Sequence, residues 1–450
     1  MKRFPHFNPR PWHGLGLGLG LGVLCLVSEL PLHAEVAGQA GERSLGTIVN
    51  GVRDGRCGAG LCEVSGGTAA GRNLFHRFSS FDTRGGISGV RLQSDGYRNV
   101  VVGVISPQGT YIDQPVSLSA KGNLFWLSPG GIAFSGAGGF VHVQHLQLST
   151  ATSLRFGDGL FNALSTPAEL AALLQVDPQR GVAGLLSEAD TLAELGLQAN
   201  GDLQLQGGDL TVEESLLLDA QGGNVLIQAA RVLVPAAVGD GNESEAGTIS
   251  LSGRSVALEG GSLDAHATDA GRGGTIEIQA AVLHQAAELD VSGSEGGQVT
   301  LSAEAELSNA GAITAVGREG QGGTITITAP RIHLQTARVS ADGLAGGGAV
   351  RVGPGPGSQQ VQMDASAELS ANATGSGAGG QVIVGSDGVT TVDGVLQARG
   401  GPLAGDGGFI ETSGRQLSIA RAPDLQAPAG RAGSWLIDPQ DVVIDHVGNF

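Results

Sequence analysis

The chain has 450 residues, of which 77 are glycine, 15% are charged and 41% are hydrophobic. That length can hold two or three ordinary domains or one long repetitive one, and a chain this apolar and this sparsely charged is not a disordered one. The net charge of −18 argues against nucleic acid and against anionic lipid as partners.

Residues 1–34 read as a signal peptide. Lys2, Arg3 and Arg10 form a basic front, and residues 15–27 form a short apolar run. The run is shorter than the ~20 residues of a membrane-spanning helix. Cleavage is expected after Ala34, and Ala40 offers a second site. The GLGLGLG inside this run imitates a nucleotide-binding loop but follows no strand, so no cofactor is expected from it. Loss of Lys2, Arg3, Arg10 and Glu29 takes the charge to about −20. Cys25 leaves with the signal. Cys57 and Cys62 remain in CGAGLC, and the oxidising compartment that a signal implies predicts a small disulfide loop between them. A zinc site needs two more ligands at suitable spacing, so no metal is expected.

Aromatic residues divide the remainder of the chain. Eight Phe, one Trp and two Tyr lie between Phe75 and Phe161, and none lies between Asn162 and Gly408. This predicts a compact aromatic-rich cap and a thinly built shaft. Two segments carry the aromatic part: GRNLFHRFSSFDT at residues 71–83 and KGNLFWLSPGGIAFSGAGG at residues 121–139. They share Asn-Leu-Phe, fifty residues apart. Phe75, Phe78 and Phe81 recur every third residue, which fits a coil corner or a short helical turn. In the second segment Leu124 and Trp126 share one face of a strand, and Phe125 and Leu127 the other. Ser128-Pro129-Gly130-Gly131 reads as a turn, with Gly130 at the position that needs positive φ.

Residues 166–200 form an interlude, expected to pack on the outside of the fold. Thr166-Pro167-Ala168-Glu169 has the form of a capping box with proline at the first helical position. Leu170, Leu173 and Leu174 supply an apolar face. A second short helix over residues 191–195 is stopped by Gly196.

From residue 201 a repeat takes over. GGTIEIQA begins at Gly273, GGQVTLSA at Gly296 and GGTITITA at Gly322, and the second glycine of the unit recurs every 23 to 32 residues. A period of that length indicates a solenoid. Thr324 to Thr328 alternates polar and apolar residues, which indicates strands, and phrases such as Ser340-Ala341-Asp342-Gly343 supply turns. The predicted fold is all-β: a right-handed parallel β-helix with about ten coils over residues 201–450. Ile276, Ile278, Val299, Leu301, Ile325 and Ile327 are its predicted interior.

The two aromatic segments, together with FVHVQHLQLSTA after the second, resemble the signature stretches of the secretion domain in two-partner secretion exoproteins, the filamentous-haemagglutinin-like adhesins and haemolysins of Gram-negative bacteria. GSWLIDP from Gly433 also resembles a phrase from the body of such proteins. The resemblance is specific over residues 45–152 and places the secretion domain at residues 35–165, ahead of the Gly-rich repeats of 201–450. It implies a signal-borne chain that stays unfolded in the periplasm and is recognised by periplasmic domains of a partner outer-membrane barrel transporter. The chain would then thread through that barrel and fold outside, in the extracellular space or at the cell surface. The recognition role falls on Asn73, Leu74, Phe75, Asn123, Leu124, Phe125, Pro129 and Gly131. The family usually has Asn-Pro-Asn-Gly where this chain has Ser128-Pro129-Gly130-Gly131, which puts contacts of the first asparagine in doubt.

The expected function is therefore that of an adhesin, not an enzyme. Beyond the signal the chain has a single lysine, Lys121, and Asp264, Asp290 and Asp342 sit in turn phrases. His142 and His145 are three apart on a strand and face opposite ways. No catalytic motif is present. The alternatives are a haemolysin or contact-dependent toxin whose effector lies beyond residue 450 and, behind it, a β-helical polysaccharide-active enzyme. The repeats stop in mid-pattern, which leaves open a fragment or a truncated gene. The adhesion ligand is not named by any motif.

Overall fold

The computed structural model describes residues 34–135, 138–156, 159–171, 182–197, 201–206, 209–212, 215–228, 231–234, 246–267, 270–353 and 357–439. The expected signal ahead of Ala34 lies outside these residues, as do Leu173 and Leu174 of the predicted apolar face.

The chain winds into a parallel β-helix with three faces. The first face stacks thirteen rungs in parallel register, from residues 73–78 to Ser434–Pro439. Nine of these rungs follow residue 201. The second face begins at Phe81–Asp82, continues through Thr110–Ile112, Ile132–Ser135 and Leu203–Gln206, and ends at Gln416–Ile419. In the repeats a third face stacks short strands such as Glu288–Asp290 on Ala312–Thr314.

Period-two alternation places one side chain of each pair inside. Ile276, Ile278, Val299, Leu301, Ile325 and Ile327 are all fully buried in one continuous core. Leu124, Leu146, Leu216 and Ile249 occupy the same inward column nearer the start. Phe78, Phe81, Trp126, Phe134 and Phe140 fill the first coils of this same helix. Antiparallel strands close its end: Val36–Gly38 lies along Asn73–Asp82, and Thr47–Val49 along Ala59–Gly66. Cys57 and Cys62 are bonded to each other there and are buried.

The glycine pairs have a steric cause. A Cβ on Gly297 would lie 2.1 Å from the carbonyl oxygen of Gly274, and one on Gly323 would lie 2.1 Å from that of Gly297. The same carbonyls accept hydrogen bonds from the next coil, Gln298 N–H to Gly274 O at 2.9 Å and Thr324 N–H to Gly297 O at 3.0 Å. These glycines are not in the left-handed region. Crowding at the corner, rather than a turn conformation, excludes a side chain there.

The fourth coil is interrupted. Between Gly139–Ser149 on the first face and Leu203–Gln206 on the second, the chain leaves the helix. It forms a separate antiparallel sheet, with Ser153–Phe156 between Gly159–Asn162 and Val182–Leu186. The excursion thus already includes strands that precede residue 166. Its first helix, α1 (Pro167–Ala171), carries the reciprocal cap: Glu169 Oε2 accepts from Thr166 N–H at 2.7 Å, and Thr166 Oγ1 from Glu169 N–H at 3.4 Å. Its second, α2 (Ala189–Glu194), ends at Gly196 with φ 78°. There Leu197 N–H bonds Leu192 O at 2.8 Å, a glycine-terminated helix end.

Candidate recognition segments

The two Asn-Leu-Phe segments are two coils apart and stand in one stack. Asn73 pairs with Asn99, and Asn99 with Asn123, on successive rungs of the first face. Their side chains form a ladder: Asn99 Nδ2–H donates to Asn73 Oδ1 at 2.8 Å, and Asn123 Nδ2–H to Asn99 Oδ1 at 2.7 Å. All three are buried. Buried amides are costly unless paired, and the ladder supplies the pairing. Asn99 was not singled out from the sequence. Arg98-Asn99-Val100-Val101 lacks the Leu-Phe, and only its place one period after the first segment and one before the second marks it.

The residues after each asparagine divide between two cores. Leu74, Val100 and Leu124 stack in register, as do Phe75, Val101 and Phe125. Val100, Leu124 and Trp126 point into the main core. Phe75, Val101, Phe125 and Leu127 point outward into a second apolar cluster, completed from the excursion by Leu154, Phe161 and Leu170. The alternation expected for residues 124–127 is therefore present, with both faces covered. The Phe75–Phe78–Phe81 spacing is that of a coil corner. Phe75 faces outward in the second cluster, and Phe78 and Phe81 pack inside. The Phe78 and Phe81 rings meet edge to face at 5.2 Å, and Phe81 meets Trp126 at 4.6 Å.

The turn after the second segment is held by a buried relay. Trp126 Nε1–H donates to Thr110 Oγ1 at 3.1 Å, Thr110 Oγ1–H to Ser128 Oγ at 3.0 Å, and Ser128 Oγ–H to Gly131 O at 2.9 Å. Gly131 N–H closes the turn on Ser128 O at 2.9 Å. Ser128 thus makes a side-chain contact of its own where the family usually has asparagine. The left-handed residue is Gly131, with φ 110°, and not Gly130 as expected. Gly130 is needed for space: a Cβ there would lie 2.5 Å from Ser106 O in the coil before. Pro129 O accepts from Gly201 N–H at 2.7 Å in the coil after.

All eight anticipated residues are buried, Asn73, Leu74, Phe75, Asn123, Leu124, Phe125, Pro129 and Gly131 alike. Two charged or titratable neighbours are buried with them. His76 is wholly enclosed, its Nδ1 3.4 Å from Thr47 Oγ1 in the antiparallel end strands. Burial pushes its pKa down to about 4. Arg77 reaches Arg43 O at 2.8 Å and Asn162 O at 3.4 Å, which ties the end strands to the excursion. Burial, helped by the Arg43 charge and opposed by Glu169, lowers its pKa to about 10.

Elsewhere the turn aspartates act on the backbone: Asp264 accepts from His266 N–H and Asp290 from Ser292 N–H. Asp264, His266 and Asp290 also bring one ligand atom each within 4.8 Å of the others, a grouping that no sequence motif marks. His142 takes a left-handed φ of 62° and its Nδ1 meets Leu118 O at 2.9 Å. No helix among the described residues is long and apolar enough to cross a membrane.

Comparison with known proteins gives a consistent pattern. A family model described as the TPS (two-partner secretion) secretion domain matches residues 58–301, more than half of the chain. That match runs through the excursion and into the repeats. No curated protein sequence matches the chain. Among solved structures, the chain is similar to the crystal structure of the HMW1 secretion domain from Haemophilus influenzae. The TM-score is 0.56 at 18% identity, over 90% of this chain and 98% of that one.

Proposed function

The chain belongs to the two-partner secretion family and is exported by a two-partner secretion system, and from that premise we propose that it is an adhesin-type exoprotein whose residues 71–83 and 121–139 are read by its transporter. In this reading a signal ahead of Ala34 takes the chain to the periplasm. A partner outer-membrane barrel with periplasmic recognition domains then passes it to the extracellular space or the cell surface, where the helix presents broad faces for binding. Catalysis has no part in it.

The observation that carries this reading is the stacking of both Asn-Leu-Phe segments in the first three rungs, with every anticipated residue buried. Side chains enclosed in this way offer nothing to a partner that meets the finished helix. Recognition therefore acts before the coils close, on extended chain. Strand addition to a sheet edge suits such a substrate, because backbone hydrogen bonds give affinity and alternate side chains give specificity. Leu74 and Leu124 would then point to one side, and Asn73, Phe75, Asn123 and Phe125 to the other.

The test is co-expression with a candidate barrel, followed by measurement of released protein. Asn73→Ala with Asn123→Ala is expected to reduce release sharply. Asn99→Ala removes both ladder bonds but leaves both segments intact, and it is expected to be released far better. Unchanged release of the double variant would sink the recognition role. Equal loss in Asn99→Ala would assign the effect to the ladder instead.

A further inference from the structure

The third face holds one place where two carboxylates meet. Its outward column reads, coil by coil, Leu233, Asp264, Asp290, Thr314, Ser340, Ser370, Gln397. Parallel register sets Asp264 directly beside Asp290, on strands that lie about 4.8 Å apart. Like charges placed in this way repel and weaken the pairing. The other members of the column are neutral. Where a carboxylate recurs farther along the face, at Asp342, the next coil meets it with the N–H of Asn372 at 2.5 Å. Asp264 is met by a second carboxylate instead, and a cation between the two would turn repulsion into attraction.

His266 converts the pair into a mixed donor set. It follows Asp264 by two residues, so both side chains leave the same side of the chain. Asp264, His266 and Asp290 each bring a ligand atom within 4.8 Å of the other two. One nitrogen and two carboxylate oxygens suit an ion with bonds of about 2.0–2.2 Å, with water completing its sphere. The backbone aims both carboxylates: Asp264 Oδ1 accepts from His266 N–H at 3.1 Å, and Asp290 Oδ1 from Ser292 N–H at 2.9 Å. The His266 and Asp264 side chains are 25% and 15% exposed, so an ion can enter while most of the set stays shielded from water. His266 Nδ1 lies 2.5 Å from Asp264 Oδ1. Ligand atoms around one ion stand roughly 3 Å apart at those bond lengths. An ion therefore takes the place of the hydrogen between them, parting the two slightly, and the neutral imidazole carries its hydrogen on Nε2.

We propose that Asp264, His266 and Asp290 bind a divalent transition ion of the zinc type, which staples two successive coils of the shaft. The imidazole argues against calcium and magnesium, which take oxygen ligands. Asp264 and His266 belong to one coil and Asp290 to the next, so the set exists only when the two coils are in register. The ion thus binds the folded chain in preference to the unfolded one and stabilises it by mass action. No sequence motif marks the set, because its members come together through coil register rather than through spacing.

The experiment uses the untagged chain without residues 1–34, stripped of metal by a chelator. Zinc is titrated by calorimetry, and cobalt(II) serves as a substitute whose visible bands report its ligands. Wild type is expected to bind zinc at this set with one ion per chain, and the zinc to displace cobalt. Asp290→Asn keeps an oxygen for Ser292 N–H and removes one charged ligand, and His266→Gln removes the imidazole. Each is expected to weaken this binding about tenfold or more and to abolish the cobalt bands, with far-UV circular dichroism unchanged. His284→Gln, at an exposed histidine on the second face, is expected to change neither. Zinc is also expected to slow amide hydrogen exchange in wild type at residues 262–266 and 288–292. Failure of the folded wild type to bind zinc, or binding that survives both substitutions, would overturn the site. Should a variant not fold, wild-type exchange decides, and slowing only at other residues would overturn the site as well.

Discussion

His76 shows how one side chain can set a pH limit on a fold. The imidazole is fully enclosed between the first rung and the end strands, with Thr47 at its Nδ1. Its pKa in the folded chain is about 4, against 6.5 for an unperturbed histidine. The unfolded state therefore binds the proton more readily. Stability is full above pH 6.5, falls as the pH drops towards 4, and levels off below. A shift of this size corresponds to about 3 kcal/mol. Denaturant melts of wild type and His76→Leu between pH 7.5 and 4 are expected to diverge by that amount, with the wild type alone losing stability through this group. Parallel slopes would show instead that the imidazole takes up its proton as readily in the fold as in the unfolded chain. Nothing in the sequence marked His76 apart from His142 or His145, because burial depends on strands at residues 36–49 folding back over residue 76.

The ladder is the next scale up, and its unit is the rung. Each asparagine contributes one bond to the rung before it or after it, so the middle member holds two. Asn99→Ala is expected to cost about 3 kcal/mol, the upper range for unpairing buried polar groups. Because Asn99 and Asn123 share one bond, the double variant is expected to cost less than the two single changes together. Unfolding midpoints of the three variants measure this directly, and strict additivity would exclude a coupled ladder. The sequence showed the outer two members through their Leu-Phe companions. It concealed the middle one, since Val100 and Val101 fill the same two columns without an aromatic ring. The turn was legible as Ser128-Pro129-Gly130-Gly131, but its strain was placed one residue early. Proline fixed the reading of the turn itself, while the stacking of Gly130 on Ser106 belongs to a neighbouring coil that local rules do not see.

For the molecule as a whole, the controlling feature is that each coil touches only its neighbours. Stability then sums over coils and interfaces, and a defect acts locally. Gly297→Ala would force a Cβ against the Gly274 carbonyl, which the next coil also needs as an acceptor. A cost of about 3 kcal/mol is expected, at the upper end of overpacking changes. Limited proteolysis is expected to open the chain near residue 297 while the first coils, closed by their end strands and the Cys57–Cys62 bond, stay resistant. Uniform loss of resistance along the chain would show instead that the helix unfolds as one unit.

The sequence by itself determined the periodic part of this protein. Glycine pairs every 23 to 32 residues, alternation within each unit and the aromatic-free stretch specify a β-helix, because coil, corner and strand are all local properties repeated. It also determined the family, because the two aromatic segments are specific. The tertiary structure decided what those segments face. Phe75 and Phe125 are buried by Leu45 and Ala70, which precede the first segment, and by an excursion whose first strand begins only at Ser153, outside both segments. Asn73 and Asn123 are joined through a residue that belongs to neither motif. Contacts between coils depend on which residues come into register, and register is set by the whole stack rather than by any segment of it.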